Sequence, residues 1–385
     1  MPAKILVVDD EPDLQLLIKQ QFRKKVRDNE FHFVFAQNGV DALNQLQQND
    51  EMDIVLSDIN MPEMDGLALL SKLSEHHPLL KSVVVSAYGD MANIRTAMNR
   101  GAFDFVTKPI DFQDLEITIH RTLQELAALK QAVKTRDQLV AIRRELNIAS
   151  ELQQSILPRQ FSPIPGRDDF AIYAEMLPAR EVGGDFYDFF AVDKERLGVV
   201  IGDVSGKGVP AAIFMAMTRA LLKATGMKGA AAGDCLHDLN NSLCHDNVRN
   251  MFVSVFYGIL NLRTRELEYC NAGHNPPYRL RKTGEVEILP NPQGLILGVI
   301  EEGKYPTEKI GLAPGDALFL YTDGVNEAMN PAEEQFSDPG LMAVLQKLVS
   351  APPAELIRGV VDAVKAFAAD APQTDDITTL AIRLR

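Results

Sequence analysis

The stretch from Phe112 to Ile156 contains neither glycine nor proline, the two residues that most readily end a helix. The next proline is Pro158, so the sequence predicts one long helix in the middle of the chain. A chain of 385 residues with 46% hydrophobic residues can build more than one packed core. We therefore expect two domains, at residues 1–125 and 159–385, joined by a helical linker at residues 126–158.

Mostly apolar residues recur along this helix in steps of three and four, the spacing of a coiled-coil seam. The first set is Leu115, Ile119, Thr122, Leu126, Leu129 and Val133, and the second is Leu139, Ile142, Leu146, Ala149 and Ile156. The polar residues 134–137 break the register between the two sets, which changes the supercoil locally. The pattern favours a parallel dimeric coiled coil, and hence a homodimer, over an amphipathic helix lying on its own domain.

The residues before this helix alternate short apolar runs with segments of helical period such as Pro12–Arg27 and Asp90–Asn99. The apolar runs are Lys4–Val8, Phe31–Ala36, Asp53–Ser57, Ser82–Ser86 and Phe103–Val106. This alternation predicts an α/β domain with a five-stranded parallel sheet of the flavodoxin-like type.

Polar residues follow most of these runs, where the carboxyl ends of parallel strands form a crevice. They are Asp9, Asp10 and Glu11 after the first run, Asp58 and Asn60 after the third, Ser86 at the end of the fourth, and Lys108 after the fifth. Grouped carboxylates suit Mg²⁺, which binds one or two carboxylates together with waters and a phosphoryl oxygen. Asp58 can then attack a phosphoryl donor, while Lys108 pairs with the acyl phosphate and the Ser86 hydroxyl donates to a phosphoryl oxygen.

The motifs VVDDE, LSDINMPEMDG, VVVSAYG and FDFVTKP resemble those of the response-regulator receiver family across residues 1–125. The resemblance implies that a sensor histidine kinase or a phosphotransfer protein phosphorylates Asp58. The other site residues that it implies are the Mg²⁺ ligands Asp10, Asp58 and the Asn60 carbonyl, the assisting Asp9, and the switch residues Ser86, Phe105 and Lys108. It also implies a cis peptide bond between Lys108 and Pro109.

From about Phe170 the pattern changes to clustered strands around two helical stretches, Val209–Thr225 and Ala231–Asp246. The predicted strands are Ala171–Met176, Phe186–Val192, Leu197–Ile201, Phe252–Leu262, Leu267–Asn271, Pro277–Arg281, Ala317–Tyr321 and Ile377–Leu384. A β-sandwich flanked by helices, in the α+β class, is the simplest architecture for this order.

Four short acidic stretches lie beside glycines or at strand ends in this half of the chain. They are Gly183-Gly184-Asp185, Gly202-Asp203-Val204, Thr322-Asp323-Gly324 and Asp375-Asp376-Ile377. Carboxylates without histidine or cysteine at ligand spacing suit Mg²⁺ or Mn²⁺ better than zinc. Two such ions can activate a water for in-line attack on a phosphate monoester.

Two other residues in this half invite a catalytic interpretation that their surroundings do not favour. Lys207 lies between glycines, but GDVSGKG has the wrong spacing for a nucleotide-binding P-loop and lacks its serine or threonine. His274 is interpreted as a residue that orders a loop rather than as a catalytic base, because no serine or cysteine nucleophile motif accompanies it.

The motifs REVGGDFYDFF, IGDVSGKGVPAA, NAGHNPP, GLILGV, LYTDGVNEA and TDDITTLAIR resemble, in order, those of the metal-dependent protein phosphatase superfamily. The branch is the bacterial one of sporulation and stress-response phosphatases. The resemblance covers residues 160–385 and implies a serine/threonine protein phosphatase with two Mn²⁺ or Mg²⁺ ions. The metal ligands that it implies are Asp185, Asp203, Asp323, Asp375 and the Val204 carbonyl.

Three positions leave this second resemblance open. Asp376 is the alternative to its neighbour Asp375 as a metal ligand. Arg180 has the spacing of the phosphate-binding arginine in eukaryotic relatives. Ser205 stands where those relatives have a histidine, which leaves the proton donor to the leaving group unassigned.

Composition excludes several classes of partner. The formal charge of −14 and the lack of a basic helix-turn-helix tail argue against binding to nucleic acid. No apolar run reaches the length of a membrane span and the N-terminus lacks a signal-peptide cleavage site, so we expect a cytoplasmic protein without a membrane partner. The three cysteines show no CxxC spacing, as expected for core thiols.

These features predict a two-component response regulator in which phosphorylation of Asp58 controls a protein serine/threonine phosphatase. By resemblance, the phosphorylated partner is an anti-sigma-factor antagonist of the STAS type. The alternative is a non-catalytic module with a phosphatase fold that binds and sequesters a regulatory partner.

Overall fold

The computed structural model describes residues 2–48, 51–77, 79–87, 90–245, 247 and 250–385. Tyr88 and Gly89 of the VVVSAYG motif, and Asp246 at the end of a predicted helix, lie outside the described residues. The chain forms two compact units, Met1–Ile142 and Arg143–Arg385. The domain boundaries expected at residues 125 and 159 stay predictions. Among the residues described, none of the helices is long and apolar enough to pass through a membrane.

The N-terminal unit alternates strands and helices as the sequence predicts. Its elements are β1 (Ala3–Val8), α1 (Pro12–Gln21), α2 (Arg23–Arg27), β2 (Phe31–Ala36), α3 (Gly39–Gln48), β3 (Ile54–Asp58), α4 (Gly66–His76), β4 (Lys81–Ala87), α5 (Met91–Asn99), β5 (Asp104–Lys108) and the first part of α6 (Phe112–Ile156), whose residues from Arg143 on belong to the C-terminal unit. The five strands form one sheet in the order β2-β1-β3-β4-β5, and every neighbouring pair is parallel. All five strands therefore end at one edge of the sheet, which confirms the predicted α/β class.

The helix predicted over Pro12–Arg27 is interrupted at Phe22, and this part of the prediction is wrong. The backbone of Phe22 has a ψ of 12°, far from the helical value. Its ring is buried in the core, where it packs edge-on against Phe31 with the ring centres 5.9 Å apart. Burial of this ring accompanies the break in the helix.

Helix α6 spans the predicted residues, Phe112–Ile156, but the first set of its periodic residues is not a free seam. Leu115, Ile119 and Leu126 are buried, and the first two join a core cluster with strand residues of the N-terminal unit. The alternative of an amphipathic helix on its own domain is therefore correct for this part. In the second set, Leu139 and Ile142 are 62% and 55% exposed. For that set a coiled coil remains a prediction.

The C-terminal unit is a sandwich of two antiparallel sheets with helices outside. Its elements are β6 (Phe170–Leu177), β7 (Phe186–Ala191), β8 (Arg196–Val204), α7 (Val209–Gly226), α8 (Ala232–His245), β9 (Val253–Asn261), β10 (Glu266–Ala272), β11 (Tyr278–Leu280), β12 (Val286–Ile288), β13 (Glu308–Gly311), β14 (Ala317–Tyr321), α9 (Asp323–Asn326), α10 (Ser337–Lys347), α11 (Pro353–Ala368) and β15 (Ile377–Leu384). The sheet orders are β13-β10-β9-β8-β7 and β12-β11-β14-β15-β6. The prediction of a β-sandwich flanked by helices is confirmed.

Helices cover both outer faces of this sandwich. Helices α7 and α8 contact the first sheet, and α10 and α11 pack with the second. Apolar residues from the inner faces, such as Leu197, Leu320 and Leu380, are buried between the sheets. The sandwich thus holds the strand ends that carry the acidic stretches in a rigid frame.

Candidate functional site

Lys108 lies at the centre of the polar edge of the N-terminal sheet. Its Nζ donates to Asp58 Oδ2 at 2.8 Å, to Asp9 Oδ2 at 3.1 Å and to Glu11 Oε1 at 3.1 Å. Burial alone would lower the pKa of Lys108, but the hydrogen bonds to Asp58 and Asp9 outweigh it and raise that pKa. The ammonium therefore stays charged beside Asp58, where an acyl phosphate would form.

Three carboxylates at this edge lie close enough to share a metal ion. Each of Asp9, Asp10 and Asp58 offers one oxygen, and these oxygens lie within 4.8 Å of one another. Asp9 and Asp58 are buried, and burial raises the pKa of Asp9. The backbone N–H of Asn60 donates to Asp58 Oδ1 at 3.4 Å, which places this residue beside the group. The donor set fits Mg²⁺, a hard cation that prefers oxygen ligands.

The predicted switch residues differ in burial. Ser86 is buried, and its Oγ has no hydrogen-bond partner among the described residues. An unpaired buried hydroxyl is costly, and a phosphoryl oxygen would satisfy it. Phe105 is 37% exposed, so its ring lies outside the core in this conformation. The peptide bond between Lys108 and Pro109 is cis, as the resemblance implies.

In the C-terminal unit, the acidic stretches meet at one end of the sandwich. Asp185 immediately precedes β7 and Asp203 lies near the end of β8, and the two strands pair with Phe186 opposite Gly202. On the other sheet, Asp323 follows β14 and Asp375 lies just before β15, and these strands also pair. We call Asp185, Asp203, Asp323 and Asp375 the four-aspartate site.

Burial and mutual repulsion dominate the electrostatics of this site. Burial and the charge of Asp203 raise the pKa of Asp185 well above its usual range. Burial and the charge of Asp323 raise the pKa of Asp203 to about 7, and burial and Asp375 raise the pKa of Asp323. Carboxylates that repel one another in a mostly buried setting favour a bound cation, although among the described residues no three of these four offer oxygens within 4.8 Å of one another, as Asp9, Asp10 and Asp58 do. The four-aspartate site therefore fits the divalent metal ions that the sequence resemblance implies.

Asp375 and Asp376 have different surroundings, although they are neighbours in the chain. Asp376 is buried and its two oxygens accept from the backbone N–H groups of Ala179 and Gly184, both at 2.8 Å. The carboxylate of Asp375 is 41% exposed and pairs with the ammonium of Lys207 at 2.8 Å. Asp376 therefore has its lone pairs engaged by the loop before β7, whereas Asp375 is open to a metal ion.

The paired glycines of the Gly183-Gly184-Asp185 stretch permit this close packing. A β-carbon at Gly183 would lie 2.1 Å from Asp376 Oδ2, and one at Gly184 would lie 2.7 Å from the Val204 carbonyl oxygen. Larger residues would push the loop away from both groups. The Val204 carbonyl thus faces the loop that carries Asp185, and its role as a backbone ligand stays a prediction.

Two further predicted residues occupy distinct positions. Arg180 is exposed and makes no ion pair with any residue that the structure describes. Ser205 forms a local bridge, because its N–H donates to the Phe252 carbonyl at 2.8 Å and its Oγ accepts from the Phe252 N–H at 2.9 Å. The hydroxyl of Ser205 is therefore part of a loop contact.

His274 is buried inside the domain and orders a loop, as interpreted from the sequence. Its Nδ1 accepts from Ser254 Oγ at 2.8 Å, and its Nε2 donates to the Tyr321 carbonyl at 3.1 Å. Its backbone N–H and C=O both bond the Asn271 amide. Burial lowers the pKa of His274 to about 4, so the ring is neutral at pH 7.

Four further residues contact the predicted site residues or the loops that carry them. Glu11 is a third partner of Lys108, and Thr322 Oγ1 donates to Asp185 Oδ2 at 2.7 Å across the two sheets. Lys207 pairs with Asp375, and Gln153 of α6 contacts Gly183. Glu11, Thr322 and Lys207 stand in the sequence motifs described above, whereas Gln153 carries no sequence signal for its contact with Gly183.

Two protein families match the chain. The family described as Stage II sporulation protein E (SpoIIE) matches residues 193–385, and the family described as response regulator receiver domain matches residues 5–120. The chain is 31% identical to Protein IcfG of Synechocystis sp. over 268 residues, which are 62% of this chain and 41% of IcfG. It therefore spans less than half of that relative.

Two other proteins are similar over a larger share of their length. Phosphoserine phosphatase RsbU of Bacillus subtilis is 26% identical over 312 residues, 81% of this chain and 85% of RsbU. Among solved structures, the SiaA-PP2C domain of Pseudomonas aeruginosa is 25% identical with a TM-score of 0.56, and the match covers 65% of this chain and 98% of that chain. The fold of the C-terminal unit thus occurs in proteins related to this one.

The neutral state of His274 predicts a pH dependence of stability. The folded pKa of about 4 lies below the unfolded value of about 6.5, so at intermediate pH only the unfolded chain binds this proton. Stability should be complete above about pH 6.5 and should fall by roughly 3 kcal/mol towards pH 4, then level off. Urea unfolding of wild type and His274→Gln between pH 7 and pH 4 measures the slope. His245→Gln, an exposed position on α8, is the control. An equally steep slope in His274→Gln would contradict the prediction.

Because Asp375 and Asp376 have different surroundings, we expect substitution by asparagine to affect metal binding at Asp375 and stability at Asp376. Asp375→Asn should weaken Mn²⁺ binding with little change in the Tm of the metal-free protein, because it removes an open oxygen ligand. Asp376→Asn should lower that Tm, because the N–H groups of Ala179 and Gly184 lose charged acceptors worth about 1.5–3 kcal/mol each. Calorimetric Mn²⁺ titration and thermal unfolding test both, with the exposed Asp370→Asn as control. Weaker Mn²⁺ binding at an unchanged Tm in Asp376→Asn alone would assign the ligand to Asp376.

Proposed function

Because this chain belongs to the Stage II sporulation protein E (SpoIIE) family and carries a response regulator receiver domain, we propose that phosphorylation of Asp58 controls hydrolysis of phosphoserine or phosphothreonine in a partner protein. The C-terminal domain is a metal-dependent protein serine/threonine phosphatase domain. The complete four-aspartate site supports hydrolysis most directly, because every acid that the resemblance implies lies at the same end of the sandwich. The receiver domain takes its phosphoryl group from a sensor histidine kinase or a phosphotransfer protein.

The chain's own residues supply the frame for hydrolysis. Two Mn²⁺ or Mg²⁺ ions held by the four-aspartate site would activate a water for in-line attack, and Mg²⁺ would serve Asp58 in the receiver. Thr322 holds Asp185 through a hydrogen bond of 2.7 Å, and Asp376 fixes the loop on which Asp185 lies. Water adds to phosphorus as the serine or threonine oxygen leaves with a proton, which releases inorganic phosphate.

The proposal also extends to the identity of the phosphorylated partner protein. We place this chain with phosphatases that act on a STAS-type anti-sigma-factor antagonist, and its similarity to phosphoserine phosphatase RsbU supports a phosphoserine substrate. The alternative, a non-catalytic module that sequesters a regulator, would need no metal ligands. The retention of all four aspartates favours turnover.

Helix α6 has a direct contact with the loop of the four-aspartate site. Gln153 is buried, its Nε2 donates to the Gly183 carbonyl at 2.6 Å, and its Oε1 accepts from the Gly183 N–H at 3.1 Å. Gly184 and Asp185 follow in the chain. A displacement of the last turns of α6 would therefore move Asp185, which gives the receiver a physical route to the metal site.

The second seam of α6 supports a homodimer. Leu139 and Ile142 are largely exposed, while Leu146 and Ala149 are half-buried, and all four share one heptad face. A second copy of this helix would cover that face. Phosphorylation adds charge that Lys108 and Ser86 can engage, and the resulting change in receiver packing would alter the pairing of the two helices.

The first test measures phosphate release from a phosphorylated partner protein or from p-nitrophenyl phosphate by the full-length chain. We expect release to need Mn²⁺ or Mg²⁺, to stop with a chelator, and to change after Asp58 is loaded with acetyl phosphate. Asp58→Asn should keep the unloaded rate and lose the response, and Asp203→Asn should lose activity by orders of magnitude. Wild-type protein that binds Mn²⁺ without releasing phosphate would favour the sequestering module. Equal rates before and after loading would remove Asp58 from control.

The coupling contact predicts a difference between two adjacent glutamines. Gln153→Ala should lower hydrolysis about tenfold and reduce the response to Asp58 phosphorylation, because Gly183 loses both hydrogen bonds. Gln154→Ala is the matched control, since Gln154 is exposed on the same turn. Both rates are measured with and without acetyl phosphate at saturating Mn²⁺. Equal behaviour of the two variants would show that α6 does not act through this contact.

A further inference from the structure

Lys207 is the one cation in direct contact with the four-aspartate site among the described residues. Its Nζ donates to Asp375 Oδ2 at 2.8 Å and to the Thr374 carbonyl at 2.6 Å. Its charge also lowers the pKa of Asp323 against the effect of burial. The side chain is 39% exposed, so the ammonium lies at the rim of the site and is accessible from solvent.

A phosphatase site also needs a positive charge for the phosphate, and the aspartates do not supply it. Two divalent cations neutralise four carboxylates, and no positive charge is left over for a dianionic phosphate monoester. Phosphate sites in proteins commonly add a lysine or arginine that donates to the phosphoryl oxygens. Arg180 is exposed and makes no ion pair with the part of the chain that the structure describes. Lys207, by contrast, already lies against a proposed metal ligand.

We propose that Lys207 binds the phosphoryl group of the substrate, and that its ammonium and a metal ion compete for the carboxylate of Asp375. The proposal rests on the phosphatase function proposed above and names its phosphate-binding residue. Lys207 thus exchanges one anionic partner for another. It releases Asp375 when that carboxylate becomes a metal ligand, and then donates to the phosphate.

The loop that carries Lys207 suits such an exchange. Ser205 is bonded to Phe252 on one side, and the Gly208 carbonyl accepts from Ala212 N–H of α7 on the other. Between these fixed ends, Gly206 and Gly208 have φ angles of +85° and +77°. No atom lies within 4 Å of a β-carbon built at either glycine, so neighbouring groups do not confine the backbone there. Lys207 can therefore move while its flanking anchors hold.

Because Lys207 is proposed to bind both Asp375 and the phosphate, removing its charge should strengthen Mn²⁺ binding and weaken phosphate binding. Lys207→Met keeps the aliphatic stem and removes the charge. Mn²⁺ should then bind about two- to fivefold more tightly, because Asp375 loses a competing ion pair at the surface. Inorganic phosphate should inhibit about tenfold more weakly, because a charge-assisted hydrogen bond is lost. If the substitution only distorted the loop, Mn²⁺ binding and inhibition by phosphate would both become weaker.

The experiment uses the full-length chain, calorimetric titration with Mn²⁺, and inhibition of p-nitrophenyl phosphate hydrolysis by inorganic phosphate. Lys207→Arg should retain most of the phosphate inhibition, and Arg180→Met should change neither quantity. Unchanged phosphate inhibition in Lys207→Met, weakening of both Mn²⁺ and phosphate, or loss of phosphate inhibition in Arg180→Met would each overturn the assignment.

Failure of the proposed function can be told apart from failure of this inference. Wild-type protein that neither binds Mn²⁺ nor hydrolyses p-nitrophenyl phosphate would refute both. Wild-type protein that does both, with Lys207→Met behaving identically, would refute only the role of Lys207.

Discussion

A single buried carboxylate, Asp376, holds together the parts of the chain on which the phosphatase site depends. It binds the backbone of Ala179 and Gly184, and so ties the loop before β7 to the start of β15 on the other sheet. Asp185 lies on that loop, and Asp375 immediately precedes Asp376 in the chain. Backbone N–H groups compensate the buried charge of Asp376, which makes its burial tolerable without a cation.

Asp185, Asp203 and Asp323 are in a different situation, because burial and mutual repulsion outweigh the hydrogen bonds that they form. Raised pKa values at Asp185, Asp203 and Asp323 show that the frame holds these groups together against their repulsion. The apolar core between the two sheets is extensive enough to maintain that arrangement. Metal ions bound there, as proposed, would relieve this repulsion, so metal affinity and the stability of the domain would be linked.

The sequence predicted the fold best where a local pattern determines the structure. Parallel strands that end in acids placed Asp9 and Asp58 at one edge, and the absence of glycine and proline predicted α6 from end to end. Strands β12 and β13 were not predicted, because their three and four residues are too few to show a period. Helix α11 was not predicted, although its apolar residues recur at helical spacing.

Other features depend on partners that a periodic pattern cannot identify. The apolar face of α6 looks the same whether it meets its own domain, as Ile119 does, or is left uncovered, as Leu139 is. The contact of Gln153 with Gly183 spans 30 residues, and that of Lys207 with Asp375 spans 168. Such pairs are set by the tertiary fold, and a single sequence gives no measure of them.

The unbroken course of α6 has a consequence for the evolution of proteins built this way. A helix advances about 100° per residue, so the angular phase between its two ends depends on its length. Exchange of the receiver for another sensory domain through recombination would succeed where the junction preserves that phase. Linker lengths in such hybrids should then cluster at intervals of about seven residues, which is one heptad or about two helical turns, rather than vary freely. The phase of the helix would therefore limit which junctions allow one domain to be exchanged for another.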